Sequence, residues 1–227
     1  MSDPSNNSEL PEPGTVLAAQ LAELDPFLRQ LPNPVQLHYW GLEDASPEEK
    51  EALRLCRALA DAYDVLSLRT FSRRASYPYY PVLGFMGLDG EKKIDYGLRI
   101  IGLPAGYQLT SLIAAIQAVS FQGVTLEPVT RIKLKQLQTD VKLELITSTD
   151  DEAGPAVAKT LFGLAVAHPQ VKSYVVMANM FPEAAYRYSA YTLPHLVING
   201  RIHLSGPADE DQIVRHVGLA AKQAHTT

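Results

Sequence analysis

Hydrophobic positions in the first half of the chain switch between helical and alternating spacing. Apolar residues three or four positions apart predict helices, and short β-rich runs predict strands. The Asp89-Gly90 dipeptide is typical of a hairpin turn. In chain order, this half is predicted to contain a helix over Thr15–Leu31, a strand over Val35–Trp40, a helix from Pro47 to about Tyr63, strands over Val65–Thr70 and from Pro81 to Met86, a strand over Lys93–Ile101 and a helix over Leu109–Val119.

The second half of the chain repeats that order. Asn199-Gly200 is a strong hairpin signal, and each half has a proline, Pro81 or Pro194, at the start of its hairpin. The missing N–H of proline is tolerated at a strand start, so the shared position indicates a shared architecture. The predicted elements are a helix over Leu126–Leu137 capped by Thr125, a strand over Val141–Thr147, a helix over Pro155–Ala167, strands over Val171–Met177, Pro194–Ile198 and Arg201–Ser205, and a helix over Asp209–Ala221.

These two repeats predict an α/β fold built from two tandem units. Each unit combines a β-α-β crossover with a β-hairpin and a closing helix, an order that produces a mixed central sheet with helices on both faces. We assign residues 15–124 to the first unit and residues 125–227 to the second. Residues 1–14 are polar, carry three prolines and are expected to form a disordered tail.

Composition narrows the range of functions. The 227 residues include 46% hydrophobic and 20% charged residues, and the formal net charge is −5. An acidic chain lacks the basic surface that general nucleic-acid binding requires. No run of about 18 apolar residues predicts a membrane span, and the polar N-terminus does not resemble a signal peptide. We therefore expect a cytoplasmic protein that binds neither nucleic acid nor membranes.

Cys56 is the single cysteine, so the chain forms no internal disulfide. It lies inside the predicted helix that begins at Pro47, on the same face as Leu53 and Leu59. A thiol buried on such a face has a high pKa and reacts poorly. Core packing is therefore predicted for Cys56, with a reactive thiol as the alternative.

The six histidines show no metal-ligand spacing. His195 and His203 are expected to face each other across the second hairpin as a surface pair, because zinc sites bring three or four ligands together. The sequence also lacks a phosphate loop, a Gly-rich dinucleotide fingerprint and a Gly-x-Ser-x-Gly elbow. No metal site and no cofactor are predicted.

Three segments carry a family resemblance. They are Gly102–Tyr107, Ala178–Glu183 and Leu193–Gly200. In this order and spacing, the chain resembles the glutaredoxin-like two-domain protein disulfide oxidoreductases, which have tandem thioredoxin folds. It is also similar to the N-terminal region of the flavoprotein component of alkyl hydroperoxide reductase. The resemblance extends from about residue 15 to the C-terminus and implies that both units are thioredoxin-like.

The resemblance implies where the reactive cysteines of such a protein would stand. A Cys-x-x-Cys motif would lie at the start of the helix opened by Pro155, where Asp151 and Gly154 occupy the two cysteine positions. In the first unit, the matching region Glu43–Glu48 also lacks cysteine. Thiol–disulfide exchange needs a thiolate and a second, resolving thiol. Dithiol oxidoreductase activity is therefore not expected, and no catalytic residue is assigned.

The carboxylates at this helix start allow two interpretations. Asp150, Asp151 and Glu152 are expected to cap the helix, because carboxylates accept hydrogen bonds from its free N–H groups and complement its dipole. A paired-carboxylate acid/base site is the alternative.

One candidate binding group surrounds Pro194. The resemblance implies that Pro194 is a cis-proline facing the active-site position. It also implies that Leu193, with Thr192 beside it, offers its backbone N–H and C=O to an extended peptide. Such backbone pairing needs no cysteine. The alternative is that Pro194 only shapes its loop.

A second candidate binding group lies in the tyrosine-rich run that ends at Pro81. Tyr79 and Tyr80 belong to the segment Arg73–Pro81, which holds three tyrosines and two arginines. Both residue types are common anchors of protein interfaces. The alternative is an ordinary loop whose tyrosines pack on the edge of the unit.

These observations predict a redox-inactive protein that binds a peptide or protein partner at one of the two groups. The alternative is an atypical thiol–disulfide oxidoreductase, or a redox partner, that relies on Cys56. A carboxylate-based activity at Asp150–Glu152 is the third hypothesis.

Overall fold

The computed structural model describes residues 24–90 and 92–224. The tail predicted over residues 1–14 and the first part of the helix predicted over Thr15–Leu31 lie outside the described residues. Within them, helix α1 covers residues 24–28 and buries Leu24 and Leu28.

The elements follow the predicted order, because the turn and proline signals that separate them are local. After α1 come β1 (Val35–Trp40), α2 (Pro47–Ala62), β2 (Leu66–Phe71), β3 (Val82–Asp89), β4 (Lys92–Ile101), α3 (Gln108–Ser120), α4 (Pro128–Leu134), β5 (Val141–Thr147), α5 (Gly154–Ala167), β6 (Val171–Met177), α6 (Pro182–Arg187), β7 (His195–Ile198), β8 (Ile202–Ser205) and α7 (Glu210–Ala224).

The helix predicted over Leu126–Leu137 is shorter in the structure. α4 begins at Pro128 with Glu127 in the cap position, so the prediction of Thr125 as the cap is wrong. Proline lacks an N–H and its ring fixes φ, which suits the first helical position. After α4 the chain continues in tighter turns instead of further helical bonds.

The short helix α6 is not predicted from the sequence. Its six residues, Pro-Glu-Ala-Ala-Tyr-Arg, are too few to display a helical period. The helix buries Ala184 and leaves Tyr186 largely exposed. None of the helices within residues 24–90 and 92–224 combines the length and the apolar composition that crossing a membrane requires.

The eight strands within the described residues form one sheet, in the order β2-β1-β3-β4-β6-β5-β7-β8. The sequence predicts a central sheet in each unit, and the structure joins the two through parallel pairing of β4 with β6. This pairing runs from Leu98↔Ser173 to Ile101↔Val176. Without it, each of these strands would be an edge with unpaired N–H and C=O groups. The two halves therefore share one continuous backbone hydrogen-bond network.

The sheet has two differently covered faces, because neighbouring residues of a strand point to opposite sides. One face packs against α2, α3, α5 and α7 around a continuous apolar core. The opposite face carries a smaller cluster that includes Trp40, Met86, Ile101 and Val176. It is covered by α6 and by residues 73–81, which we call the tyrosine loop. Both candidate binding groups lie on this second face.

Candidate functional site

Each half of the chain presents the same turn before its hairpin. The peptide bonds of Tyr80-Pro81 and Leu193-Pro194 are both cis. The main-chain oxygen of each proline accepts a hydrogen bond at 2.8 Å, from Gly102 N in the first half and from Gly206 N in the second. The two prolines thus occupy equivalent places in the fold.

Asp151 holds the loop that leads into α5. One carboxylate oxygen accepts hydrogen bonds from Ala153 N and Gly154 N, both at 3.1 Å. The other accepts a hydrogen bond from Thr147 Oγ1 at 2.7 Å. Asp151 therefore binds two free N–H groups at the start of α5, as expected, although Ala153 stands in the cap position of this helix.

Asp150 was expected to accept hydrogen bonds from the free N–H groups of the helix, but its side-chain partner is a hydroxyl group. Its carboxylate accepts a hydrogen bond from the hydroxyl of Ser148, and this bond lowers the pKa of Asp150. The acid of a catalytic carboxylate pair needs a raised pKa, so that it is protonated near neutral pH. The lowered pKa of Asp150 therefore argues against Asp150 as the acid of such a pair.

Gly154, at the second cysteine position, is packed so closely that it leaves no room for a side chain. A Cβ at this position would overlap Thr147 Oγ1 and would lie 2.7 Å from Gln108 Nε2 and 2.8 Å from Asp151 Oδ2. These polar atoms occupy the space into which a cysteine side chain would have to project.

Gln108 reaches from the first half of the chain into this site. It is the first residue of α3 and is fully buried. Its amide nitrogen donates to Thr147 Oγ1 at 3.0 Å and to the main-chain oxygens of Ser148 at 3.0 Å and Asp151 at 3.2 Å. Its amide oxygen accepts a hydrogen bond from Ser111 Oγ at 2.6 Å. No sequence pattern identifies Gln108, whose only signal is that it is a polar residue at the start of an apolar helix.

The corresponding helix start in the first half is tied to the tyrosine loop. Ser46 Oγ caps α2 by accepting a hydrogen bond from Glu49 N at 3.1 Å. The buried carboxylate of Glu49 accepts a hydrogen bond from Leu42 N at 2.6 Å and forms an ion pair with Arg73. Because Glu49 is only 1% exposed, solvent screens this ion pair less than a surface pair.

Aromatic contacts order the tyrosine loop. The Tyr79 ring stacks on Phe181, with the ring centroids 4.7 Å apart and an interplanar angle of 17°. The Tyr80 ring lies under the Arg73 guanidinium, 5.1 Å from its carbon, and the Tyr80 hydroxyl bonds to the main chain of Arg74. Tyr79 therefore connects the first half of the chain to the segment before α6.

A cleft of about 690 Å³ opens between these elements. Its walls come from the start of α2, the tyrosine loop, the turn between β4 and α3 and the segment before α6. Both halves of the chain contribute to it. The lining includes Ser46, Arg73, Tyr79, Tyr80, Met180 and Phe181.

The candidate group at Pro194 lies on the same sheet face but outside the lining of this cleft. Thr192 is exposed, Leu193 is half-buried and Pro194 is buried. Leu193 packs against the same apolar cluster as Tyr79 and Tyr80. Among the residues that the structure describes, neither the N–H nor the C=O of Leu193 takes part in a backbone hydrogen bond. The N–H can therefore donate, and the C=O accept, a hydrogen bond, as pairing with an extended peptide requires.

Cys56 is part of the main apolar core. It is 1% exposed, and burial raises the pKa of its thiol to about 12. A thiol with such a pKa is almost entirely protonated at neutral pH and is a poor nucleophile. This confirms the predicted core packing and argues against the reactive-thiol alternative.

His195 and His203 face each other across the second hairpin, as predicted, but the prediction of a surface pair is wrong for His195, which is buried beneath the exposed His203. His195 Nε2 lies 2.9 Å from His203 Nδ1, and Ser205 Oγ lies 3.1 Å from the other ring nitrogen of His195. Burial and the neighbouring His203 lower the pKa of His195. Residues 24–90 and 92–224 contain no group of three or more side chains placed to hold a metal ion.

The element order, the mixed sheet and the two equivalent proline turns define a thioredoxin-fold protein. No family model matches the chain. The chain is 22% identical over 204 residues to the F subunit of alkyl hydroperoxide reductase in Pseudomonas aeruginosa, a match that covers 89% of this chain and 37% of that protein. Its counterpart in Xanthomonas campestris pv. phaseoli is 24% identical over 196 residues, covering 85% and 35%. The chain thus spans little more than a third of the length of these relatives.

Two solved structures show the same fold. The N-terminal domain of alkylhydroperoxide reductase AhpF from Enterococcus faecalis matches with a TM-score of 0.78 and 19% identity, covering 92% of this chain and 100% of that chain. A protein disulfide oxidoreductase from Aeropyrum pernix matches with a TM-score of 0.78 and 22% identity, covering 89% and 92%. These comparisons confirm the predicted thioredoxin-like fold and the resemblance to both groups of redox proteins.

Proposed function

We propose that this chain is a thioredoxin-fold binding module without dithiol exchange activity, which holds an extended peptide segment of a protein partner. The observation that carries the proposal is the cleft between the tyrosine loop, α2 and α6. It lies beside Tyr80-Pro81, at the helix start where the first half of a dithiol protein would carry its reactive thiol.

The loss of dithiol chemistry is supported at both helix starts. The region Glu43–Glu48 has no cysteine, and Asp151 and Gly154 stand at the matching positions of the second half. Asp151 is engaged in capping, and the site of Gly154 is filled by polar atoms of its neighbours. Without two thiols within reach of each other, a mixed disulfide has no internal route to resolution.

The retained surface favours binding of an extended segment. Tyr79, Tyr80 and Phe181 supply large, ordered aromatic surfaces that lose little conformational entropy when a partner binds. Leu193 adds a backbone N–H and C=O on the same sheet face. The relatives are a component of alkyl hydroperoxide reductase and a protein disulfide oxidoreductase, which supports a partner among redox proteins.

Selection of a peptide library against the full chain tests this proposal. Selected peptides are expected to bind with micromolar dissociation constants, and Tyr79→Ala is expected to weaken them about tenfold, because it removes an aromatic wall of the cleft. Binding is measured by fluorescence anisotropy.

The matched control for this variant is Phe121→Ala, which removes a half-exposed aromatic ring after the C-terminal end of α3, outside the cleft lining. Equal loss of binding in both variants, or a library that yields no binding peptide, would contradict the proposed site. A loss caused only by Leu193→Asp would move the site to the group around Pro194.

Labelling of Cys56 separates this proposal from a single-thiol oxidoreductase. In the native protein, a thiol reagent is expected to react at least about 100-fold more slowly than in urea, because the buried thiol must be exposed by unfolding. Reduction of insulin with dithiothreitol is expected to proceed at the background rate in the wild type and in Cys56→Ser. Turnover that disappears in Cys56→Ser would refute redox inactivity, and fast native labelling would refute the burial of the Cys56 thiol.

A further inference from the structure

The charged groups of the cleft are unevenly distributed. Four charged side chains line it: Glu48, Glu49, Arg73 and Glu183. Glu49 and Arg73 form an ion pair with each other. Within residues 24–90 and 92–224, neither Glu48 nor Glu183 has an ion-pair partner. The cleft therefore holds two carboxylates, one from each half of the chain, that form no ion pair with the arginine of its lining; Arg187, one turn after Glu183 on α6, lies outside the lining.

The aromatic walls stand close to one of these carboxylates. Burial raises the pKa of the Tyr79 hydroxyl, the negative charge of Glu183 raises it further, and the positive charge of Arg187 opposes this by a smaller amount. Tyr79 is stacked on Phe181, two residues before Glu183 in the chain. A cation placed over these rings would gain both a cation–π contact and a Coulomb attraction.

The protein already contains an arginine held in this way. The Arg73 guanidinium lies 5.1 Å from the centroid of the Tyr80 ring and is paired with the buried carboxylate of Glu49. Arg73, Tyr80 and Glu49 all line the cleft. An aromatic face combined with a carboxylate therefore binds guanidinium inside this cleft. Tyr79 with Phe181 and Glu183 repeats the same combination of groups.

We propose that the cleft selects a peptide segment that carries an arginine side chain, recognised by Glu48 and Glu183 and by the ring faces of Tyr79 and Phe181. This inference rests on the proposed peptide-binding function and adds its specificity. Arginine is favoured over lysine, because its planar guanidinium stacks on aromatic rings and is more weakly hydrated. Next to the carboxylates, Leu103 and Met180 line the cleft with apolar surface, so an apolar residue is expected beside the arginine.

The test uses library-selected peptides and the full chain. Arginine is expected to be enriched at one position of the selected peptides. Replacing that arginine by glutamine is expected to lower affinity about tenfold, and by lysine about threefold. Glu183→Gln is expected to lower affinity about fivefold, and the Glu48→Gln, Glu183→Gln double variant about twentyfold.

A double-mutant cycle assigns these losses to one interaction. In the double variant, the arginine and glutamine peptides are expected to bind within about twofold of each other. Asp64→Asn removes the same charge from an exposed residue outside the cleft and is expected to leave affinity unchanged. Higher salt is expected to reduce the difference in affinity for the arginine peptide between the wild type and the double variant.

The results distinguish failure of the specificity from failure of the binding function. Peptides that bind in a Tyr79-dependent manner but lack a basic residue, or that bind the double variant as well as the wild type, would overturn the arginine preference and leave peptide binding intact. A library without binders would overturn both proposals.

Discussion

Replacing Gln108 by alanine is expected to lower the free energy of unfolding by about 3 kcal/mol. The side chain is fully buried, and it bridges α3 in the first half to the loop before α5 in the second. Its removal leaves the main-chain oxygens of Ser148 and Asp151 and the hydroxyl of Ser111 without this partner. Each buried polar group left unsatisfied costs about 1–3 kcal/mol.

Urea unfolding followed by circular dichroism measures this change. Gln108→Met keeps most of the volume of the side chain and removes its hydrogen bonds, so it is expected to lose most of the same free energy. Thr110→Ala, at an exposed position of the same helix, is the control and is expected to change the free energy of unfolding by less than about 0.5 kcal/mol. A loss below about 1 kcal/mol in both Gln108 variants would show that the bridge contributes little to stability.

Gly106→Ala is expected to destabilise the protein by about 4 kcal/mol, the largest effect that we predict for a single methyl group. Gly106 has a φ of +56°, in the left-handed region. An added Cβ would overlap the main-chain oxygen of Thr149, which accepts a hydrogen bond from Tyr107 N at 3.0 Å. Relief of the overlap would move the turn after β4 away from the loop after β5 and would break that bond.

Gly200→Ala separates the two causes of this loss. Gly200 also has a positive φ, +68°, but an added Cβ there meets no atom within 4 Å. Only the backbone strain remains, so the free energy of unfolding of this variant is expected to fall by about 1–2 kcal/mol. Thermal unfolding of both variants measures the difference. Similar losses in the two variants would show that close packing between the loops is not what requires glycine at position 106.

The succession of elements could be predicted because its signals are local. The dipeptides Asp89-Gly90 and Asn199-Gly200 specify hairpins by their own backbone preferences, and β5 and β6 have the bounds that were predicted. Cys56 could also be assigned to the core, since its neighbours at helical spacing are apolar. The repeated hairpin pattern located Pro81 and Pro194, and the family resemblance located the two helix starts without cysteine.

The site itself was only partly predictable. Gln108 bonds to residues 39 to 43 positions further along the chain, and no local pattern reports such a contact. Glu183 and Tyr79 belong to different motifs, and no sequence pattern places them around one cleft. The helix α6 carries Glu183 to this cleft, and it is too short to be recognised from its period.

The amino-acid sequence by itself determined the two repeated sets of helices and strands, the buried thiol and the absence of a cysteine pair, because periodicity, turn chemistry and residue identity are properties of short segments. Only the tertiary structure decided that β4 pairs with β6, that Gln108 fills the space beside Gly154 and that carboxylates from both halves line one cleft. These features depend on hydrogen bonds and packing between residues far apart in the chain, and such contacts exist only once the two halves share a sheet.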